Sequence, residues 1–111
     1  MPIFITQGRY TQSALTGMIA SPEDRAEAVE KIITAAGGKL HSYYMTFGEY
    51  DFLTIAEAPD EKALLAALVV AAAGGGVTDL KTTVAVTSAD MKDALEKAKS
   101  LAPKLGRVVL S

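Results

Sequence analysis

Residues 3–8 read Ile3, Phe4, Ile5, Thr6, Gln7, Gly8, apolar on both parities at the start and polar by the end. That pattern predicts a short strand whose two faces both begin against protein. A polar link over 9–18 follows, with one short helical turn set expected around 14–18. Ser21-Pro22-Glu23-Asp24 then offers a serine N-cap, a proline at the first helical position and carboxylates where the helix dipole favours them, so a helix is predicted to start there. Its apolar stripe is Ala26, Val29, Ile33 and Ala36, widened by Ile32, and Gly37-Gly38 can take the left-handed conformation that ends a helix. Over 40–46, Leu40, Ser42 and Tyr44 alternate with His41, Tyr43 and Met45, a second strand. Phe47-Gly48-Glu49 leaves no room for a crossover, so a third strand over 50–57 is expected as its antiparallel hairpin partner.

The second half repeats this grammar. Pro59-Asp60-Glu61 leads a helix through Leu64, Leu65, Leu68 and Ala72 that stops at Gly74-Gly75-Gly76. A β-branched, threonine-rich stretch over 77–87 predicts a fourth strand, and Ser88 and Asp90 open a last helix through Met91, Leu95, Ala98 and Leu101 to Pro103. The tail 107–111 is short and apolar, an edge strand or an arm for a neighbouring subunit. The order strand, helix, strand, strand, helix, strand is the ferredoxin-like α+β arrangement, βαββαβ, with an additional C-terminal helix. It places two helices on one face of an antiparallel sheet and leaves the other face bare. The hairpin strands carry Tyr43, Tyr44, Met45, Phe52, Leu53 and Ile55 on both parities, so the bare face is expected to meet protein, most simply a second copy.

Size and charge narrow the classes. With 111 residues, 11 basic and 13 acidic side chains and no cysteine, the chain is expected to form one domain, 1–111, with no disulfide, no thiolate catalysis and no sulfur-ligated zinc. The near balance of charge offers no field to gather nucleic acid. The most apolar stretch, 63–73, is too short to cross a bilayer, and the opening residues lack the pattern of a secretory signal, so no membrane partner and a cytoplasmic location are expected.

Three segments carry a resemblance: Phe4-Ile5-Thr6-Gln7-Gly8-Arg9-Tyr10-Thr11, Ala36-Gly37-Gly38-Lys39-Leu40, and above all Met45-Thr46-Phe47-Gly48-Glu49-Tyr50-Asp51-Phe52. Over roughly 2–87 the chain resembles the small bacterial GYD-domain proteins, with Gly48, Tyr50 and Asp51 at the positions for which that family is named. The resemblance implies a dimeric α/β barrel within the ferredoxin-like superfamily. That superfamily includes cofactor-independent monooxygenases, haem proteins and effector-binding domains of transcriptional regulators, so the resemblance implies a fold more than a reaction.

The candidate ligand-binding residues are Arg9, Tyr10, His41, Tyr43, Tyr50 and Asp51. Tyrosines pair a stacking ring with a hydroxyl handle and suit planar ligands in a cleft between sheet and helices or between subunits, though they serve protein interfaces equally well. His41 is the sole histidine; a general base would need a positioned neighbour, and Tyr43 shares its expected strand parity. Asp51 is expected chiefly to accept hydrogen bonds from backbone N–H groups near the strand end, and Gly48 to supply positive φ in the turn. The triple glycine follows a helix and lacks the Lys-Ser/Thr pair of a phosphate loop, and one histidine makes no metal cluster. No cofactor is expected. The function expected is a small-molecule-binding or structural homo-oligomer, at least a dimer through the open sheet face. The alternative is a cofactor-independent monooxygenase or isomerase acting on a small aromatic or dicarbonyl compound.

Overall fold

The computed structural model describes residues 1–105. Its elements are β1 (Ile3–Tyr10), α1 (Gln12–Ala20), α2 (Ala26–Ala35), β2 (Lys39–Met45), β3 (Phe52–Glu57), α3 (Glu61–Ala73), β4 (Val77–Ala85) and α4 (Ser88–Leu105). The strands form one antiparallel sheet in the order β2-β3-β1-β4, the ferredoxin-like order. The expected tail segment 107–111 lies outside the described residues.

Alternation builds the two faces. Phe4, Thr6 and Gly8 lie across from Ala56, Thr54 and Phe52, and all six are buried; this is the face toward α2 and α3. Phe4, Ala56 and Ala58 meet Ile33 of α2 and Leu64 and Ala67 of α3 in the core, with Val29, Ile32 and Leu68 packed around them. Ile3, Ile5, Leu53 and Ile55 point the other way, away from α2 and α3, and stay half-buried.

The barrel is a correction. The sheet is open, with β2 and β4 as its two edges. Closing a sheet requires its first and last strands to pair through tilt and stagger, and four strands in one chain cannot curl far enough to meet.

Local differences from the expected elements have local causes. Ser21 ends α1 rather than opening the next helix, its N–H reaching the Gly17 carbonyl at 2.9 Å. The carboxylate of Asp24 accepts the Ala26 N–H at 2.9 Å, so the acid and not the serine opens α2. Helix α1 fills most of the expected polar link 9–18 and runs two residues beyond it, because Thr11 caps it by accepting from Ala14 N–H and is itself anchored by donating to the Gly75 carbonyl at 2.8 Å. In β2 the register slips between Leu40 and Ser42, which makes His41 the extra residue. The expected shared parity of His41 with Tyr43 and Met45 therefore fails. Leu40, Tyr43 and Met45 share the helix side, whereas His41 pairs with Glu57 on the bare side, Nε2 to carboxylate oxygen 3.1 Å.

A second slip, on β4 opposite Gln7 and Arg9, is held by Asp79 at φ 53°. It turns Leu80 over Gly8, where a Cβ would stand 2.7 Å from the leucine methyl and 2.6 Å from the Phe52 ring. Any larger residue at that position requires the Phe52 ring or the Leu80 side chain to move. Gly37 takes φ 85° after α2, as expected, whereas Gly48 is not at positive φ and a Cβ on it would meet nothing within 4 Å.

Candidate functional site

Tyr10 ends β1 on the helix side because the strand alternates, and its ring packs on Phe52 at 5.1 Å between centroids. Tyr43, brought to the same side by the β2 bulge, stacks on the other flank of Phe52 at 6.1 Å. The Tyr10 hydroxyl donates to the Met45 sulfur at 3.3 Å, and the Arg25 guanidinium stands 5.8 Å from the Tyr10 ring centre. Burial pushes the Tyr10 phenol above its usual pKa; the Arg25 charge pulls against that rise and the Asp51 carboxylate adds to it.

These rings form one wall of a cavity of about 270 Å³ between the sheet and helices α2 and α3. Val29, Ile32, Leu64 and Leu68 supply apolar walls, Thr6 and Thr54 a polar floor, and Arg25 the rim. The floor is hydrogen-bonded, Thr6 Oγ1 to Thr82 Oγ1 at 3.0 Å, while Thr54 Oγ1 donates to the Thr6 carbonyl at 3.4 Å. Among the described residues the lining holds no carboxylate and no histidine. The room suits a fragment-sized, largely apolar molecule, just below the usual range of ligand pockets.

The six candidate residues separate into three places. Tyr10 and Tyr43 line the cavity. Arg9, Tyr50 and Asp51 gather at the end of β1 as a clamp. Asp51 accepts the Tyr10 N–H at 2.9 Å through its carboxylate, and its own N–H donates to the Gly8 carbonyl at 2.8 Å. Arg9 Nε donates to the Glu49 carbonyl at 2.7 Å, with its guanidinium 5.7 Å from the Tyr50 ring centre and 4.0 Å from the Asp79 carboxylate. Thr46 closes the loop by donating from its hydroxyl to the Tyr50 carbonyl at 2.7 Å. Every partner in this clamp is another part of the chain. His41 stands on the sheet face away from the cavity and, beside Glu57, at the end of the sheet away from the clamp.

Sequence reasoning misses Arg25, because it follows Pro22-Glu23-Asp24 and reads as part of a solvated helix start. The helix residues of the cavity are equally silent, since an apolar stripe reads as core whether or not a gap lies beneath it. Among the described residues there is no group of three or more His, Asp or Glu side chains placed to hold a metal, and no helix is long and apolar enough to cross a membrane.

Comparison with known proteins places this geometry. A glutamine synthetase and cystathionine beta-lyase binding protein from Thermus thermophilus is 28% identical over 91 residues, which span 82% of this chain and 95% of that protein. The crystal structure of TTHA0845 from the same organism superposes with a TM-score of 0.51 at 17% identity, covering 79% of this chain and 96% of the other. That of hypothetical protein PHS023 from Pyrococcus horikoshii gives 0.50 at 15% identity, covering 79% and 93%. At such identities the two structures establish the shared fold alone. The GYD domain model matches residues 4–95, which includes the clamp and both cavity tyrosines, and the chain belongs to the GYD domain family.

Proposed function

We propose that this chain is a binding protein without a reaction of its own, which takes a small apolar acid into the cavity between sheet and helices and works as an oligomer, at least a dimer, assembled through the uncovered sheet face. The observation that carries the first part is the cavity itself: apolar walls, a satisfied polar floor and one cation at the rim. Among the described residues Arg25 has no carboxylate within 4.0 Å, so its charge is free to meet a ligand's. With no carboxylate or histidine in the lining among the described residues, those residues offer no ready general base, which favours binding over the oxygenase or isomerase alternative. Ile3, Ile5, Leu53 and Ile55 on the uncovered face support the second part. The binding role named for the Thermus relative supports reading such surfaces as sites of protein contact.

The test uses phenylacetate and its neutral amide as probes, titrated into the full chain by calorimetry. A charge-assisted hydrogen bond contributes about 1.5–3 kcal/mol, so the acid should bind at least tenfold more tightly than the amide. Arg25→Gln should remove that preference, and Ala71→Phe, which fills the cavity, should remove binding of both. Failure of the acid to bind, or a preference that survives Arg25→Gln, would overturn the ligand assignment. Sedimentation of a monomer at micromolar concentration would overturn the oligomer.

A further inference from the structure

Helix α4 leaves the body after Thr87, whose hydroxyl accepts the Asp90 N–H at 3.0 Å and starts the helix. Its 18 residues extend about 27 Å, and none of them is buried. The molecule is 61 Å in its longest dimension, and its radius of gyration is 18.1 Å where a compact chain of this length has about 13 Å. Most of a helix's stability in a protein comes from packing an apolar face rather than from intrinsic propensity. The stability of α4 calls for a surface to pack on.

The exposed side chains describe that surface. Met91, Leu95, Ala98, Ala102 and Leu105 recur at alternating steps of four and three, the seam of a coiled coil, with Ala94 and Leu101 along one flank. Leu95 and Leu105 are each 60% exposed. Residues 88–96 carry three carboxylates and one lysine, and residues 97–105 three lysines and no carboxylate. Along one helix this suits the dipole; between two helices it also selects direction. Parallel copies would set like charge beside like, whereas antiparallel copies set each acidic half beside the other's basic half. Side-chain size agrees. The antiparallel register about the helix centre puts Leu95 against the partner's Ala98 and Met91 against the partner's Ala102, large against small at both levels.

We infer that α4 is a self-association element, pairing antiparallel with α4 of a second copy at a two-fold interface separate from the sheet face. The family match ends at residue 95, so the basic half of this seam lies beyond the matched span. Combined with contact through the sheet face, it joins dimers into larger closed or extended assemblies.

The chain has no cysteine, which makes the pairing directly readable. Met91→Cys and Ala102→Cys are made as separate full-length proteins, mixed and oxidised. Antiparallel pairing gives the mixed 91–102 disulfide in preference to either homodimer, because two copies of position 91 then stand about 16 Å apart. Homodimers in excess, or no cross-link, would overturn the pairing. Charge-swapped chains give a second readout by sedimentation: one carries Asp90→Lys, Asp93→Lys and Glu96→Lys, the other Lys97→Glu, Lys99→Glu and Lys104→Glu. Each alone should lose at least tenfold in self-association, and the equimolar mixture should regain it; masses unchanged by either swap would overturn the charge argument. Ile55→Lys on the sheet face should leave the 91–102 cross-link intact, and its loss would overturn the independence of the two interfaces.

Discussion

Asp51→Ala isolates the carboxylate of the β1 clamp. The side chain accepts one part-buried N–H, that of Tyr10, at 2.9 Å, while the backbone bonds of Asp51 to Gly8 and Thr46 do not depend on it. Removing the carboxylate leaves the Tyr10 N–H without its acceptor, at the point where β1 slips its register against β4. A hydrogen bond to a charged acceptor contributes about 1.5–3 kcal/mol when buried, and partial exposure here brings the expected loss to about 1–2 kcal/mol. Urea unfolding at fixed protein concentration measures it. With a slope of about 2 kcal/mol/M, the midpoint should fall by roughly 0.5–1 M with the slope unchanged. Asp51→Asn, which keeps one oxygen at that place, should recover at least half of the shift. An alanine variant whose transition superimposes on wild type would refute the clamp as a source of stability, and an asparagine variant no better than alanine would show that the hydrogen bond is not the cause.

The two glycines of the first and third segments should behave oppositely. Gly8→Ala forces a Cβ against Phe52 and Leu80 and should cost about 1–3 kcal/mol in the same urea experiment, whereas Gly48→Ala should stay within about 0.5 kcal/mol of wild type. Tyr10 is protonated and neutral below its pKa, and burial raises that pKa above the unfolded value. Its contribution is therefore complete below about pH 10 and is lost as the pH rises through the folded value, so alkaline unfolding should be steeper in wild type than in Tyr10→Phe. Ultraviolet difference titration should show one late phenolate in wild type that is missing in the variant. Ile55→Lys places a charge in the middle of the uncovered face and should shift sedimentation toward smaller species without lowering the helical signal in circular dichroism.

The fold was legible where one local rule acted alone. β1 and β3 alternate cleanly, Asp60 and the triple glycine bound α3 as expected, and the hairpin loop is too short for anything but an antiparallel return. It was hidden where one residue changes the parity of a strand. Nothing in Lys39-Leu40-His41-Ser42 marks His41 as the bulged residue, and that single slip sends it away from Tyr43. Ser21 is taken up by the end of α1, where its N–H reaches the Gly17 carbonyl, and Asp24 holds the Ala26 N–H at the start of α2, a division that nothing in Ser21-Pro22-Glu23-Asp24 announces. The candidate site was half legible: Tyr10 and Tyr43 reach the cavity, but Arg25 and the helical walls are set by packing between elements rather than by any motif.

Of Gly48, Tyr50 and Asp51, the last two meet the Arg9 guanidinium and the Tyr10 N–H, and none of the three lines the hollow beneath the helices. Selecting proteins by that trio sorts them by how a hairpin is fastened, and two chains that share it are free to carry different cargo. What tells such chains apart should be sought in the ordinary small and aliphatic positions of α2 and α3, and in whether a charge like that of Arg25 guards the entrance.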